Sequence, residues 1–181
     1  MATAKYGLAP YGPQNPGAIM EFDIDPSTTE IYIGDIVEMV ADLGVAQAAA
    51  TNEDNLGVAV GFTHDGIPVP YYGYPSTSSA SDTGWKCLVN VDPHQLYKVH
   101  YYHASTALTA AYVGSTADIV VGTGNTTSGI SGSYVTALST GAAMLYVLGL
   151  APIQGNAWGT DCELLVKLQE NIFHNVAAVG V

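Results

Sequence analysis

Turn-forming residues break this chain at intervals of about ten residues, which leaves no room for a long helix and suits short β-strands. Residues 30–40 are rich in β-branched and aromatic side chains (Ile31, Tyr32, Ile33, Ile36, Val37) but are interrupted at Gly34, the pattern of a strand with a bulge or sharp bend. Residues 56–62 alternate Gly or Ala with larger apolar groups, so one face packs while the other is approached closely. Asp65-Gly66 supplies turn chemistry, and Pro68 and Pro70 mark residues 67–72 as an edge strand. Further strands are predicted at 86–91, 96–101, 119–121, 134–137, 143–150 and 163–169, with at most a turn or two of helix over 105–112. The Gly- and Thr-rich run 122–129 lacks the Lys of a phosphate loop and the spacing of a dinucleotide fingerprint, and reads as a hairpin connection. The fold class is therefore all-β, a single β-barrel or sandwich of short strands.

Three segments are expected. In residues 1–26, Pro10, Pro13, Pro16 and Pro26 with Gly7, Gly12 and Gly17 oppose a helix or a central strand. Tyr6, Leu8, Tyr11, Ile19, Met20 and Phe22 are nevertheless large apolar groups that a solvated linker would not carry. An extended N-terminal arm, lying along its own domain or a neighbour, reconciles the two. Its removal up to residue 17 is expected to leave the barrel folded. Residues 27–174 form the barrel, and 175–181 an apolar C-terminal tail. Glu21, Asp23 and Asp25 alternate with Phe22 and Ile24, as on a solvated strand face.

Charge narrows the partners. Arginine is absent, and four lysines face sixteen Asp and Glu, a formal charge of −12. Nucleic acids and anionic lipids are held by Lys and Arg, so neither is an expected partner. Only 11% of residues are charged, against about 25% in typical domains. Ser, Thr, Gly, Ala, Asn and Tyr must cover the exterior, a surface suited to packing against protein. No segment approaches the roughly 18 apolar residues of a membrane span. The chain opens into Gly and Pro instead of an apolar run, so no signal peptide is expected. A reducing cytoplasm, or a particle assembled there, is the expected compartment.

Chemistry is sparse. Cys87 and Cys162 are the only cysteines and read as buried small hydrophobes, although with His64, His94, His100, His103 and His174 a Cys-His nucleophile can be written on paper. His100 and His103 fall three apart and would leave a strand on opposite faces, poor geometry for one metal; they read as partly exposed residues of a Tyr-rich surface. No catalytic residue, cofactor or metal site is expected. Twelve tyrosines outnumber Phe and Trp together, and Tyr joins apolar area to a polar handle, as protein interfaces use it.

A series of segments carries a resemblance. It runs through 31–37 (Ile-Tyr-Ile-Gly-Asp-Ile-Val), 45–50 (Val-Ala-Gln-Ala-Ala-Ala), 56–62 (Leu-Gly-Val-Ala-Val-Gly-Phe) and Pro70-Tyr71-Tyr72. It continues through 89–94 (Val-Asn-Val-Asp-Pro-His) into Tyr97-Lys98-Val99, then 117–120 (Ala-Asp-Ile-Val), Leu148-Gly149-Leu150 and 164–168 (Leu-Leu-Val-Lys-Leu). In order and spacing these pieces, over residues 31–170, resemble the head decoration (capsid cement) proteins of tailed bacteriophages. The family's Asp-Asp-Pro turn appears here as Val91-Asp92-Pro93.

The resemblance implies a non-enzymatic virion protein, made in the host bacterial cytoplasm and bound to the outer capsid surface. There it would link and stabilise subunits of the major capsid protein as a homo-oligomer, a trimer or a dimer. Tyr6, Leu8 and Tyr11 of the arm and Tyr71, Tyr72 and Tyr74 of the loop are the expected capsid or subunit contacts. The alternative is a carbohydrate-binding β-module that uses Tyr71, Tyr72, Tyr74 and Trp85 as a stacking platform.

Overall fold

The computed structural model describes residues 5–25, 30–40, 44–49, 55–69, 84–169 and 172. Among them there is no α-helix, and so none long and apolar enough to cross a membrane. Thirteen strands follow in order: β1 (Ala9–Tyr11), β2 (Ile19–Ile24), β3 (Ile36–Met39), β4 (Gly44–Gln47), β5 (Asn55–His64), β6 (Ile67–Val69) and β7 (Trp85–Asn90), then β8 (Leu96–Tyr102), β9 (Thr116–Ala117), β10 (Ile119–Val120), β11 (Tyr134–Val135), β12 (Leu145–Leu150) and β13 (Asp161–Leu168). Short 3-10 turns at Pro16–Ala18 and Ala110–Tyr112 are the helical content of the described residues.

The fold is all-β and barrel-like, as the turn spacing predicts, with the strands divided between two sheets. The smaller runs β3-β4-β2-β7-β5-β6 and closes on itself because β3 also pairs with the first half of β5. The second half of β5 continues through the Asp65-Gly66 turn, both residues at positive φ (51° and 76°), into β6. That is the hairpin geometry this dipeptide favours. The larger sheet runs β10-β11-β8-β13-β12-β9, with β1 on the free stretch of β8 beside β11. Its end strands β9 and β10 are separated in the chain by Asp118 alone, which brings the two ends of the sheet together.

Alternation decides what each strand buries. Tyr97, Val99 and Tyr101 of β8 face Leu145, Val147, Cys162, Leu164, Val166 and Leu168 inside the larger sheet. Phe62, Cys87, Val89, Val37, Val45 and Leu56 fill the smaller one, with Phe22 and Ile24 of β2 against them. Ile36 and Val58 lie on the opposite faces of β3 and β5 and pack into the larger core, which joins the two barrels. Each such side chain contributes about 1.5–3 kcal/mol by leaving water.

The N-terminal segment departs from the expected arm. β2 lies between β4 and β7, paired with both, and is thus an internal strand of the smaller barrel. Pro10 lies on the short β1, Pro16 in a turn and Pro13 outside any strand, so 19–24 keeps its period of two. β1 pairs with β8, and Leu8 is fully buried in the larger core. Residues 5–25 therefore pack with the two barrels, and the boundary drawn at 26 does not separate an arm from a domain. The expected tail, 175–181, lies outside the described residues.

One buried carboxylate organises the junction. Asp35 follows the Gly34 bend and is 1% exposed. Its Oδ2 accepts from the Tyr32 N–H and the Gln47 Nε2–H, each at 2.8 Å, and its Oδ1 accepts from the hydroxyls of Ser131 and Ser133. Four donors from three separate segments thus converge on one side chain, tying the bend, β4 and the 129–133 loop together. Burial raises the Asp35 carboxyl above its ordinary value, and these hydrogen bonds oppose that shift.

Candidate interaction surface

Among the described residues, the outward face of the larger sheet is a distinctive surface. On β8 the residues alternating with the core set are Leu96, Lys98, His100 and Tyr102; on β13 they are Asp161, Glu163, Leu165 and Lys167. Register places Lys167 beside Leu96, Leu165 beside Lys98 and Glu163 beside His100. On β12, Tyr146 pairs with Lys167, and Leu148 sits in the bulge between Val147 and Gly149. Tyr102, Tyr146 and Leu148 are 38–43% exposed, which makes this face a band of aromatic and aliphatic groups set among Lys98, Lys167, Asp161 and Glu163.

The N-terminal segment completes the band at one end. Lys5 Nζ stands 3.3 Å from the centroid of the Tyr134 ring and 5.6 Å from that of Tyr102, a cation–π arrangement. Tyr6 packs beside Glu163; burial, then this carboxylate, push the phenol far above its ordinary range. Its hydroxyl, Glu163 Oε2 and His100 Nδ1 are all buried without a hydrogen bond of regular geometry. His100 is 1% exposed, and its Nε2 lies 2.8 Å from Asp161 Oδ1. The expectation of a partly exposed His100 is therefore corrected: a neighbouring carboxylate and the overlying N-terminal segment cover the ring. Behind that segment lies an apolar cleft of about 420 Å³ between the barrels, lined by Tyr6, Pro10, Ile33, Val60 and Ile130 among others.

Of the contacts expected from sequence, Tyr6 lies at this surface and is half-buried, and Tyr11 is half-exposed on β1 opposite Leu96. Leu8 is corrected: its side chain is spent in the chain's own core and presents nothing to a partner. Tyr71, Tyr72 and Tyr74 lie outside the described residues. Trp85, the fourth member of the carbohydrate platform, is half-buried with its ring 4.9 Å from that of His64. The sequence alone does not join Lys98, Tyr102, Tyr146, Leu148 and Lys167 into a surface: their period-two spacing within strands is the available signal, and it needs the register to become one face.

The groups considered for chemistry are kept apart. Cys87 is wholly buried and its thiol is pushed far up by desolvation; Cys162 is also raised, chiefly by burial. Cys162 points into the core while His100 occupies the opposite face of the same sheet, so that pair cannot act together. His103 Nδ1 is occupied as an acceptor from the N–H groups of Ser105 and Thr106. Among the described residues no group of three or more His, Cys, Asp and Glu is placed to hold a metal ion.

Charge is uneven along the chain. Residues 19–92, which carry every strand of the smaller sheet, contain twelve of the sixteen carboxylates and one lysine, Lys86. Residues 93–181 contain four carboxylates and two lysines, and Lys5 belongs to the segment over the larger sheet. Lys86 is taken up by Asp23 at 2.9 Å, whereas Lys98 and Lys167 make no ion pair with a described residue. Comparison with known protein families, with curated proteins and with solved structures finds no match to this chain.

Proposed function

We propose that this chain is a non-catalytic decoration (cement) protein of a bacteriophage virion, bound to the outer surface of the capsid, where it links neighbouring subunits of the major capsid protein. The observation that carries this reading is the outward face of the larger sheet. Tyr102, Tyr146 and Leu148 stand exposed on the β-scaffold among charges of both signs, a composition that suits a protein partner. The net charge supports the outer side of the shell. A protein of −12 meets no packaged nucleic acid there, and its charge keeps particles apart.

The role is mechanical in this reading. A protein that binds the assembled shell and not its separated subunits shifts the equilibrium away from disassembly, and a homo-oligomer engaging several sites at once gains by avidity. Co-sedimentation of the purified protein with mature, undecorated phage heads, beside immature shells, tests it. Stoichiometric binding to mature heads and a higher rupture temperature of the decorated particles are expected. Absence of binding at every salt concentration overturns the reading.

A further inference from the structure

From the loop that joins β12 to β13, we propose that the chain carries a saccharide site: the cavity this loop encloses takes a neutral sugar, one ring stacked on Trp158 and its hydroxyls held by the polar side chains around it. This is not the tyrosine platform expected from the sequence, and it does not depend on the capsid reading.

The loop is fastened at both limbs. Asn156 pins it to β13: its Nδ2 donates to the carbonyls of Ala151 and Glu163 at 2.9 and 2.8 Å, and its Oδ1 accepts from the Glu163 N–H at 3.0 Å. The other limb is tied to residues 103–108, where the Leu108 N–H donates to the Gly159 carbonyl and the His103 N–H to the Thr160 carbonyl, both at 2.9 Å. These bonds frame a cavity of about 510 Å³ lined by Gln154, Asn156, Trp158, Thr160, Asp161 and Glu163 among others. Small-molecule sites run from about 300 to 1,000 Å³, and a loop already in place need not be ordered by its ligand.

The lining selects the ligand. Trp158 is half-buried and packs against the larger core while it also lines the cavity, so the core holds the indole still and part of its surface is open to a ligand. A pyranose ring carries C–H groups on its faces and hydroxyls around its rim, and so matches an aromatic surface surrounded by polar groups. Gln154 and Thr160 are exposed, and their side chains make no hydrogen bond with a described residue, which leaves donors and acceptors for hydroxyls. Asp161 and Glu163 are the charged residues of the lining and no lysine joins them, so phosphate, sulfate and acidic sugars are repelled. A metal ion is no better served: Asp161 Oδ1 is engaged by His100 Nε2 at 2.8 Å, and no metal-holding group exists among the described residues.

The test reads Trp158 itself. In the full chain Trp85→Phe leaves Trp158 as the single tryptophan, and Trp85 lies on β7 of the smaller sheet, away from the cavity. This variant is titrated with maltohexaose, cellohexaose and chitohexaose, and with any hit from an array of neutral and sialylated glycans. A saturable change in tryptophan emission with at least one neutral oligosaccharide is expected. Adding Gln154→Ala and Thr160→Ala, with the fold checked by circular dichroism, should weaken binding about tenfold, the effect of losing two modest hydrogen bonds.

No saturable change with the three oligosaccharides and no neutral hit on the array overturn the inference, and leave head binding to the co-sedimentation result. A neutral glycan that binds without moving the emission of Trp158 sits elsewhere on the molecule and overturns it too. So does unchanged affinity in the Gln154→Ala/Thr160→Ala background, or binding confined to sialylated glycans.

Discussion

The Leu8 N–H donates to the Gly34 carbonyl at 2.8 Å, which fastens the N-terminal segment to the bend that opens β3. Beside that bond, Gly7 N–H donates to the Ser133 carbonyl at 2.9 Å, and the Leu8 side chain is fully buried among residues of both sheets. A segment held in this way is a structural part of the molecule. Leu8→Ala should lower stability by about 2–5 kcal/mol, the cost of a cavity in a packed core. Deleting residues 1–17 should prevent cooperative folding, in contrast to the expectation drawn from its prolines. Urea melts followed by tryptophan fluorescence check both, and a truncated chain with a wild-type midpoint would refute the assignment.

The same contact fixes the backbone on each side. Gly7 and Gly34 have φ of 65° and 95°, and a Cβ on Gly7 would lie 2.4 Å from the Gly34 carbonyl oxygen. Gly7→Ala therefore combines left-handed strain of about 1–3 kcal/mol with a clash against backbone that cannot swing aside. It should destabilise more than Gly12→Ala, where φ is 81° but no atom lies within 4 Å of the added carbon. Equal thermal midpoints for the two variants would show that the junction yields.

Much of this architecture is legible in the chain, strand by strand. The Gly34 bend, the Asp65-Gly66 hairpin, the burial of Cys87 and the alternation of Glu21 and Asp23 with Phe22 and Ile24 all follow from local pattern. What stays hidden is partnership. β5 pairs with β3, β6 and β7 at once, and β4 and β9 are four and two residues long. Period-two alternation states which face a strand buries and not which strand lies beside it, so one barrel and two read alike. The same gap hides from the sequence that Leu165 lies beside Lys98 and that Lys167 lies beside Tyr146.

Asp35 predicts an unusual pH dependence. Its folded-state pKa is raised because burial disfavours the charged form. Between the unfolded value, about 4, and that raised value the native state binds more protons than the unfolded chain. Its contribution is then full below the unfolded value and is lost as pH rises through the folded one. Asp35→Asn keeps an acceptor for the Tyr32 and Gln47 donors and an amide that the Ser131 and Ser133 hydroxyls can accept from. It should fold and lack this loss. Asp35→Ala leaves four donors without an acceptor, at about 1–3 kcal/mol for each one that water cannot reach. Urea midpoints of wild type and Asp35→Asn from pH 4 to 7 decide the matter: curves that stay parallel would show that Asp35 does not titrate there.

The thiols should be inert in the native state. Cys87 is wholly buried with its thiol pushed up, and Cys162 is buried with a raised thiol; nucleophilic reaction needs an accessible thiolate. An aromatic disulfide reagent should label neither cysteine until denaturant opens the barrels. Rapid labelling of either in buffer would show that its sheet opens far below the global unfolding free energy.

Tyr6 offers the sharpest test of how the N-terminal segment is held. Its ring fills space at the head of the larger sheet, while its hydroxyl is buried beside Glu163 without a hydrogen bond of regular geometry. Ring and hydroxyl therefore make opposite predictions. Tyr6→Ala removes the packing of a half-buried ring and should cost about 1–3 kcal/mol, less than a large-to-small change at a fully buried aromatic. Tyr6→Phe keeps the packing and deletes a buried polar atom with no good partner, so stability should hold or rise, because an unsatisfied buried hydroxyl costs about 1–3 kcal/mol. A Phe variant destabilised by more than about 1 kcal/mol would mean that the hydroxyl and Glu163 form a net favourable bond. In that case the segment is latched by that bond as well as by its ring, and Glu163→Gln should then weaken it by a comparable amount.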